Sequence, residues 1–162
     1  MRLAIVSDTH LPKGARRIPE ACLERLRAAD AILHAGDLIE VSVLRELEGL
    51  GPPVHAIAGN VDEPGVRALL PATRIVDAGG ARIGMIHDAG PAAGRLERMR
   101  RRFPDIDAVV FGHSHLPLLE SAPDGFAIFN PGSPTERRRA PRHTMGIATA
   151  EAGRLRFELI AL

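Results

Sequence analysis

Residues 1–10 read MRLAIVSDTH: a short apolar run, Leu3 to Val6, passes without a break into Ser7, Asp8, Thr9 and His10. An apolar run of that length bounded by polar residues is the signature of a buried strand. The same grammar recurs along the chain, in AILHAGD (31–37), VHAIAGN (54–60), ARIGMIH (81–87) and AVVFGHSH (108–115). Each time, a run of strand length stops at residues that bind cations.

Between the first of these runs lie segments of helical period. Pro19 to Ala29 opens with a proline and carries Ala21, Leu23 and Leu26 on one face. Val41 to Leu50 is closed by Gly49 and Gly51 with Pro52 beyond. With strands at Leu3–Val6, Ala31–Ala35 and Val54–Ala58, the first third reads strand, helix, strand, helix, strand, which implies parallel neighbours joined by right-handed crossovers. A short helix is expected around Gly65 to Leu70. A hairpin should pair Thr73–Val76 with Arg82–His87 across Gly79-Gly80. Ala92 to Arg102 then reads as a helix and Ala108 to Phe111 as a buried strand. Four further strands, Leu118–Ser121, Phe126–Asn130, Thr144–Ala150 and Leu155–Ile160, are separated by turn signals at Asp124-Gly125, Pro131-Gly132 and Ala152-Gly153. There is no internal repeat and no linker-like stretch, so residues 1–162 are expected to form one α/β domain.

Composition narrows the function classes. Lys+Arg 21 against Asp+Glu 20 gives a net charge of +1, so no global field draws the chain to nucleic acid or membrane. Five Phe with no Trp or Tyr leave few platforms for stacking bases, and nucleic acid is disfavoured as a partner. Arginines cluster at Arg98, Arg100, Arg101 and Arg102 and again at Arg137, Arg138, Arg139 and Arg142. They read first as solvated surface, second as a rim attracting an anion. Cys22 is the only cysteine, which excludes an intramolecular disulfide and thiolate zinc sites. The apolar run at Leu3–Val6 is too short for the core of a signal peptide, and cytoplasmic residence is the simplest expectation.

The candidate site residues all follow strands: Asp8 and His10, Asp37, Asn60, His87, and His113 with His115. In open α/β sheets that edge is where loops converge into sites. Any one of these residues alone would be an ordinary turn or cap, but the ordered set is hard to read so. Carboxylate, amide oxygen and imidazole suit Mn, Fe, Zn or Ni better than all-oxygen cages. Extended backbone after the strand would bring Asp8 and His10 to one side, and likewise His113 and His115. Gly36, Gly59 and Gly112 precede Asp37, Asn60 and His113, where a missing side chain permits a tight turn and close approach.

SDTH, HAGD, AGNVD, the histidine of MIHDAG, FGHSH and the trailing NPGSP resemble the ordered motifs of the calcineurin-like metallophosphoesterases, small bacterial and archaeal phosphodiesterases in particular, over roughly residues 1 to 135. The resemblance implies a four-layer αββα sandwich, two mixed β-sheets flanked by helices. It also implies two divalent ions per chain, Mn2+ in the first place with Fe, Ni or Zn as alternatives. By position, Asp8, His10 and His115 would hold one ion, Asn60, His87 and His113 the other, and Asp37 would bridge them. Asp37, Asn60 and His87 would thereby also serve catalysis. The implied reaction is hydrolysis of a small phosphodiester or nucleotide-like substrate by a metal-bridging hydroxide, with no membrane partner and with homo-oligomerisation left open. A phosphomonoesterase or nucleotidase is the alternative enzyme, and a protein-binding scaffold like the retromer subunit of this fold the alternative class.

Other residues carry weaker signals. His34 reads equally as a positioning residue and as a satisfied strand-end histidine, whereas His55 and His143 read as structural. Asp62 reads as a loop-fixing residue, Asn130-Pro131-Gly132-Ser133 as a turn beside the site, and Cys22 as core. Two departures from the family pattern stand out: Val61 occupies the place of a histidine that follows the motif asparagine, and Asp88 follows His87 where relatives read His-Gly-His. Valine transfers no proton, and a carboxylate beside two cations should stay ionised, so Asp88 is a poor candidate acid.

Overall fold

The computed structural model describes all residues from 1 to 162. Why its first strand is buried on both faces follows from the alternation along β1 (Arg2–Val6). Ala4 and Val6 enter one apolar cluster and Leu3 and Ile5 another. β2 (Ala31–His34) divides likewise, Ile32 to one side and Ala31 and Leu33 to the other. Each fully buried Leu or Ile contributes about 1.5–3 kcal/mol relative to exposure.

The first sheet has the order β10-β9-β1-β2-β3, with β3 at Val54–Ala56, β9 at Thr144–Glu151 and β10 at Arg154–Ala161. β1, β2 and β3 are parallel, while β9 runs antiparallel to both β1 and β10. The second sheet has the order β4-β5-β6-β8-β7, formed by Thr73–Ala78, Ala81–Ile86, Ala108–Val110, Ala127–Asn130 and Leu118–Ser121 respectively. β5, β6 and β8 are parallel and the two outer pairs antiparallel.

Four layers result, as expected. Helices α1 (Glu20–Arg27), α2 (Val41–Glu48) and α3 (Pro64–Leu69) cover the first sheet through Cys22, Leu26, Leu44, Leu47 and Val66. Leu3, Ile5 and Leu33 face Ile83, Met85, Val110 and Phe129 between the sheets. α4 (Arg95–Arg102) covers the second sheet through Met99, with Phe103 just beyond its end. No helix is long and apolar enough to cross a membrane.

The helices are shorter than the sequence suggests. α1 stops at Arg27 rather than Ala29, and α2 at Glu48 rather than Leu50. α4 begins at Arg95, not Ala92, because Gly94 is left-handed at φ 65° and takes the chain out of the helical path.

Candidate metal centre

All the strand-end loops expected to carry ligands meet where the two sheets share an edge. Register aligns Val6 with His34 and His34 with Ala56, so the turns after β1, β2 and β3 leave side by side. The second sheet is tied in by His87, whose Nδ1 donates to the Ala35 carbonyl at 2.7 Å, and by Gly112 N–H donating to His87 O at 2.9 Å.

Asp8 and His10 come together, with His10 Nε2 3.8 Å from Asp8 Oδ1, by a different route from the extended alternation expected of the sequence, whereas His113 and His115 turn to different partners, Asn60 and Asp8. Asp8, His10, Asp37, His113 and His115 all have left-handed backbone, φ 47–67°. Such a conformation costs about 1–3 kcal/mol at a residue with a Cβ. It persists because side chains hold it from outside. The glycines serve close approach more than turning: a Cβ at Gly59 would collide with Asp37, and one at Gly112 with Ser7 and Asp8. Of the three glycines preceding ligands, only Gly36 is left-handed, at φ 92°.

An inner group comprises Asp8, His10 and His115, all buried. One ligand-type atom from each lies within 4.8 Å of the other two. His115 Nδ1 donates to the Glu136 carbonyl at 2.5 Å, which leaves Nε2 as a bare lone pair 3.4 Å from Asp8 Oδ1 and 3.1 Å from His10 Nε2. An outer group comprises His87 with Asn60 and His113, the last two exposed. Asn60 Oδ1 stands 3.1 Å from His87 Nε2 and 2.9 Å from His113 Nδ1. Between the groups, Asp37 Oδ2 lies 3.6 Å from His10 Nε2 and 3.2 Å from His87 Nε2, while its Oδ1 accepts the Val61 N–H at 3.0 Å. Asp8 also faces both groups, forming a second set of three with Asp37 and His87. The sequence reading assigns that shared position to Asp37 alone.

This donor set suits a divalent transition cation. With its Nδ1–H spent on the Glu136 carbonyl, His115 turns an Nε2 lone pair toward Asp8 Oδ1, and His87 Nε2 faces Asp37 Oδ2, so both histidines present Nε2 to a carboxylate across a gap that calls for positive charge, a proton at His87 or a cation at either. Burial opposes charge on His87, but its hydrogen bond to Asp37 and the charges of Asp8 and Asp37 outweigh this and raise its pKa. At His115 burial dominates over Asp8 and lowers the pKa, keeping a neutral imidazole. Asp37 is lowered: burial pushes up, but the hydrogen bond and charge of His87 and the Val61 N–H prevail.

Around these residues stands a frame of fixed hydrogen bonds. Ser7 Oγ–H donates to Asp8 Oδ2, and the His113 N–H reaches the same oxygen at 3.0 Å. Ser133 Oγ donates to Asp8 O at 2.8 Å and Thr135 Oγ1 to Thr9 O at 2.6 Å, so the NPGSP segment is a turn clamped against the first loop. Asp62 accepts the N–H groups of Gly59, Asp37 and Ile39 at 2.6, 3.2 and 2.6 Å, the loop-fixing role expected of it. His34 accepts the Gly36 N–H on Nδ1 at 3.2 Å, so its Nε2–H donates to Thr9 Oγ1 at 3.1 Å. Burial lowers its pKa to about 4, so it stays neutral while joining the Asp8 and Asp37 loops.

Sequence reasoning missed Glu136, hidden in an arginine-rich run. Its carboxylate accepts Arg16 Nη1 at 2.8 Å and lies 4.0 Å from His10 Nδ1, while its carbonyl holds His115. Of the arginine clusters, Arg98 donates to Ala89 O and Pro91 O, and Arg100 pairs with Asp124. Only Arg138 approaches the ligands, with Nη1 3.5 Å from His113 O. His55, half-buried, and His143 make no contact with the set.

A double mixed sheet with such an edge defines a metal-site α/β protein of the phosphoesterase type. The chain belongs to the calcineurin-like phosphoesterase superfamily, whose domain description it matches over residues 1–153. It is 36% identical over 141 residues to a probable metallophosphoesterase of Methanothermobacter thermautotrophicus, covering 85% of this chain and 80% of that one. Its fold is shared with wild-type Vps29 of Entamoeba histolytica in complex with Zn2+, at TM-score 0.77 and 22% identity over 99% of both chains. It is shared equally with a novel archaeal phosphodiesterase, at TM-score 0.74 and 22% identity over 99% of this chain and 100% of that one.

Proposed function

We propose that residues 1–162 act as one metal-dependent phosphodiesterase unit, with Asp8, His10 and His115 holding one cation, Asn60, His87 and His113 a second, and Asp37 shared between them. The observation that carries this reading is the convergence of imidazole nitrogens and carboxylate oxygens in two groups, with His115 Nε2 3.4 Å from Asp8 Oδ1 and His87 Nε2 3.2 Å from Asp37 Oδ2. Held by these residues, two divalent cations, Mn2+ first among them, would neutralise phosphoryl oxygens and make hydroxide available near neutral pH.

The chain's own residues position and support. The Ala35 and Glu136 carbonyls fix the histidine tautomers, and Asp62 fixes the loop under Asp37. No protein nucleophile is required, and the one thiol is unsuited: burial pushes Cys22 up to about 12. Val61 contributes a main-chain N–H and no acid, and Asp88 Oδ1 accepts the Gly90 N–H at 2.7 Å. Exposed Asn60 and His113 leave the outer side open, which favours broad tolerance of small diesters.

Purification without added metal, metal analysis, and assay of bis(p-nitrophenyl) phosphate against p-nitrophenyl phosphate with Mn2+ test the reading. About two ions per chain, EDTA-sensitive turnover and preference for the diester are expected. Full turnover after complete metal depletion would overturn the mechanism. Preference for the monoester would instead identify a phosphomonoesterase or nucleotidase, and absence of both metal and turnover a scaffold.

A further inference from the structure

Beside His113 the surface opens into a pocket of about 310 Å3, walled by Asp88, Arg95, Phe111, His113 and Ser114. Its polar groups have an unusual distribution of spent and unspent hydrogen bonds. Ser114 Oγ accepts both the Leu116 N–H and Asn130 Nδ2–H, each at 3.2 Å, so its lone pairs are engaged and its O–H remains to donate. Asp88 Oδ1 accepts the Gly90 N–H at 2.7 Å, and Oδ2 has no partner. Arg95 donates Nε and Nη2 to Gly90 O at 3.2 and 2.9 Å and lies over the Phe111 ring with 5.1 Å from Cζ to the centroid, so the N–H groups of Nη1 and the second N–H of Nη2 are free.

The pocket therefore offers two donors and one anionic acceptor next to a candidate metal ligand. An apolar group would displace water from all three and return no hydrogen bond. A second anionic group would meet the Asp88 carboxylate. A hydroxyl group satisfies both kinds of partner, since it donates to a carboxylate and accepts from Ser114 or Arg95.

The geometry points to a subsite for a hydroxylated ester arm of the substrate, a neutral polyol of glycerol or ribose size, recognised by Asp88 Oδ2 and the Ser114 O–H. This inference rests on the phosphoesterase reading and deepens it. The structural device that shapes the pocket is the loop from Asp88 to Gly94, held by Arg95 and Arg98 through the carbonyls of Ala89, Gly90, Pro91 and Ala93. Asp88 thus takes a binding role at the place of the glycine in the His-Gly-His pattern, with Ala89 standing at the place of its second histidine.

The test is calorimetric binding of monoester products to the Mn2+-loaded protein: inorganic phosphate, propyl phosphate, glycerol 3-phosphate and ribose 5-phosphate. At least one polyol phosphate should bind about 10-fold tighter than propyl phosphate, and which one gains tells glycerol from ribose. Asp88→Asn keeps an oxygen for the Gly90 N–H while replacing the free acceptor by a donor. It should abolish that discrimination and leave propyl phosphate unchanged. Ser114→Ala should reduce the discrimination in part. Equal binding of propyl and polyol phosphates by wild type, or an equal loss of both in Asp88→Asn, overturns the subsite while leaving the phosphoesterase reading standing. Failure of inorganic phosphate and every ester to bind overturns both.

Discussion

The inner and outer groups of the candidate metal centre both draw on imidazole and side-chain oxygen and differ in enclosure. Asp8 and His115 are 0% exposed and His10 8%, and each is held from another segment: Asp8 by the NPGSP turn, His115 by the Glu136 carbonyl, and the His10 N–H by the Asp37 carbonyl. In the outer half only His87 is buried, at 5%, while Asn60 and His113 sit in the open and lean chiefly on each other. A ligand whose position is set beforehand loses little freedom when it binds, so the inner half should hold its cation more tightly and exchange it more slowly.

The hardest blow to both halves at once is Asp37→Asn. Loss of the shared charge should lower metal content below about two per chain and the diester rate by more than about 10²-fold, since even outer partners of a ligand cost 10- to 100-fold. Wild-type stoichiometry and rate in that variant would remove Asp37 from the bridge. Next in size are the two single-sided changes. His115→Ala should weaken the tighter metal about 10²-fold in a chelator competition, whereas His113→Ala should keep that metal and lose about 10-fold at the weaker one. Equal losses would erase the distinction between the halves.

Val61 borders the open half, 44% exposed, where a leaving alcohol would depart. A general acid is worth about 10²- to 10⁴-fold on a poor leaving group, so Val61→His should speed alkyl diesters by about 10-fold or more and aryl diesters hardly at all. In wild type the rate should fall steeply as leaving-group pKa rises. A flat dependence there would show either an acid elsewhere or a different slow step. The gentlest probe is Glu136→Gln, which keeps the main-chain grip on His115 but removes the charge facing His10 Nδ1 and Arg16 Nη1. Metal affinity of the inner half should drop by up to about 10-fold, with the outer half unaffected. An effect on the outer metal alone would misplace Glu136.

The fold was legible because apolar runs of strand length alternate with segments of helical period, and runs apolar throughout mark strands covered on both faces: Leu3 and Ile5 against Ala4 and Val6, Val109 against Val110. That the candidate ligands gather at one edge was legible because they follow those strands in order. The frame was not. Glu136 reaches His10 and Arg16 across more than a hundred residues of chain, and no local pattern marks such a contact. Nor could sequence show how Asp8 and His10 come together. The expectation of extended alternation reached the right outcome through the wrong backbone, because left-handed conformations at Asp and His depend on tertiary support. The start of α4 was misjudged for a related reason: Gly94 tolerates helix as well as the left-handed cap it adopts.

Five ligand-type residues in left-handed backbone set evolution a choice. Glycine or asparagine would occupy these places with less strain, so nearly every relaxation of the backbone at the site is also a loss of chemistry. A descendant selected only to be a durable surface would shed the histidines one by one and grow hardier as it did so. This chain carries a carboxylate or an imidazole at all five.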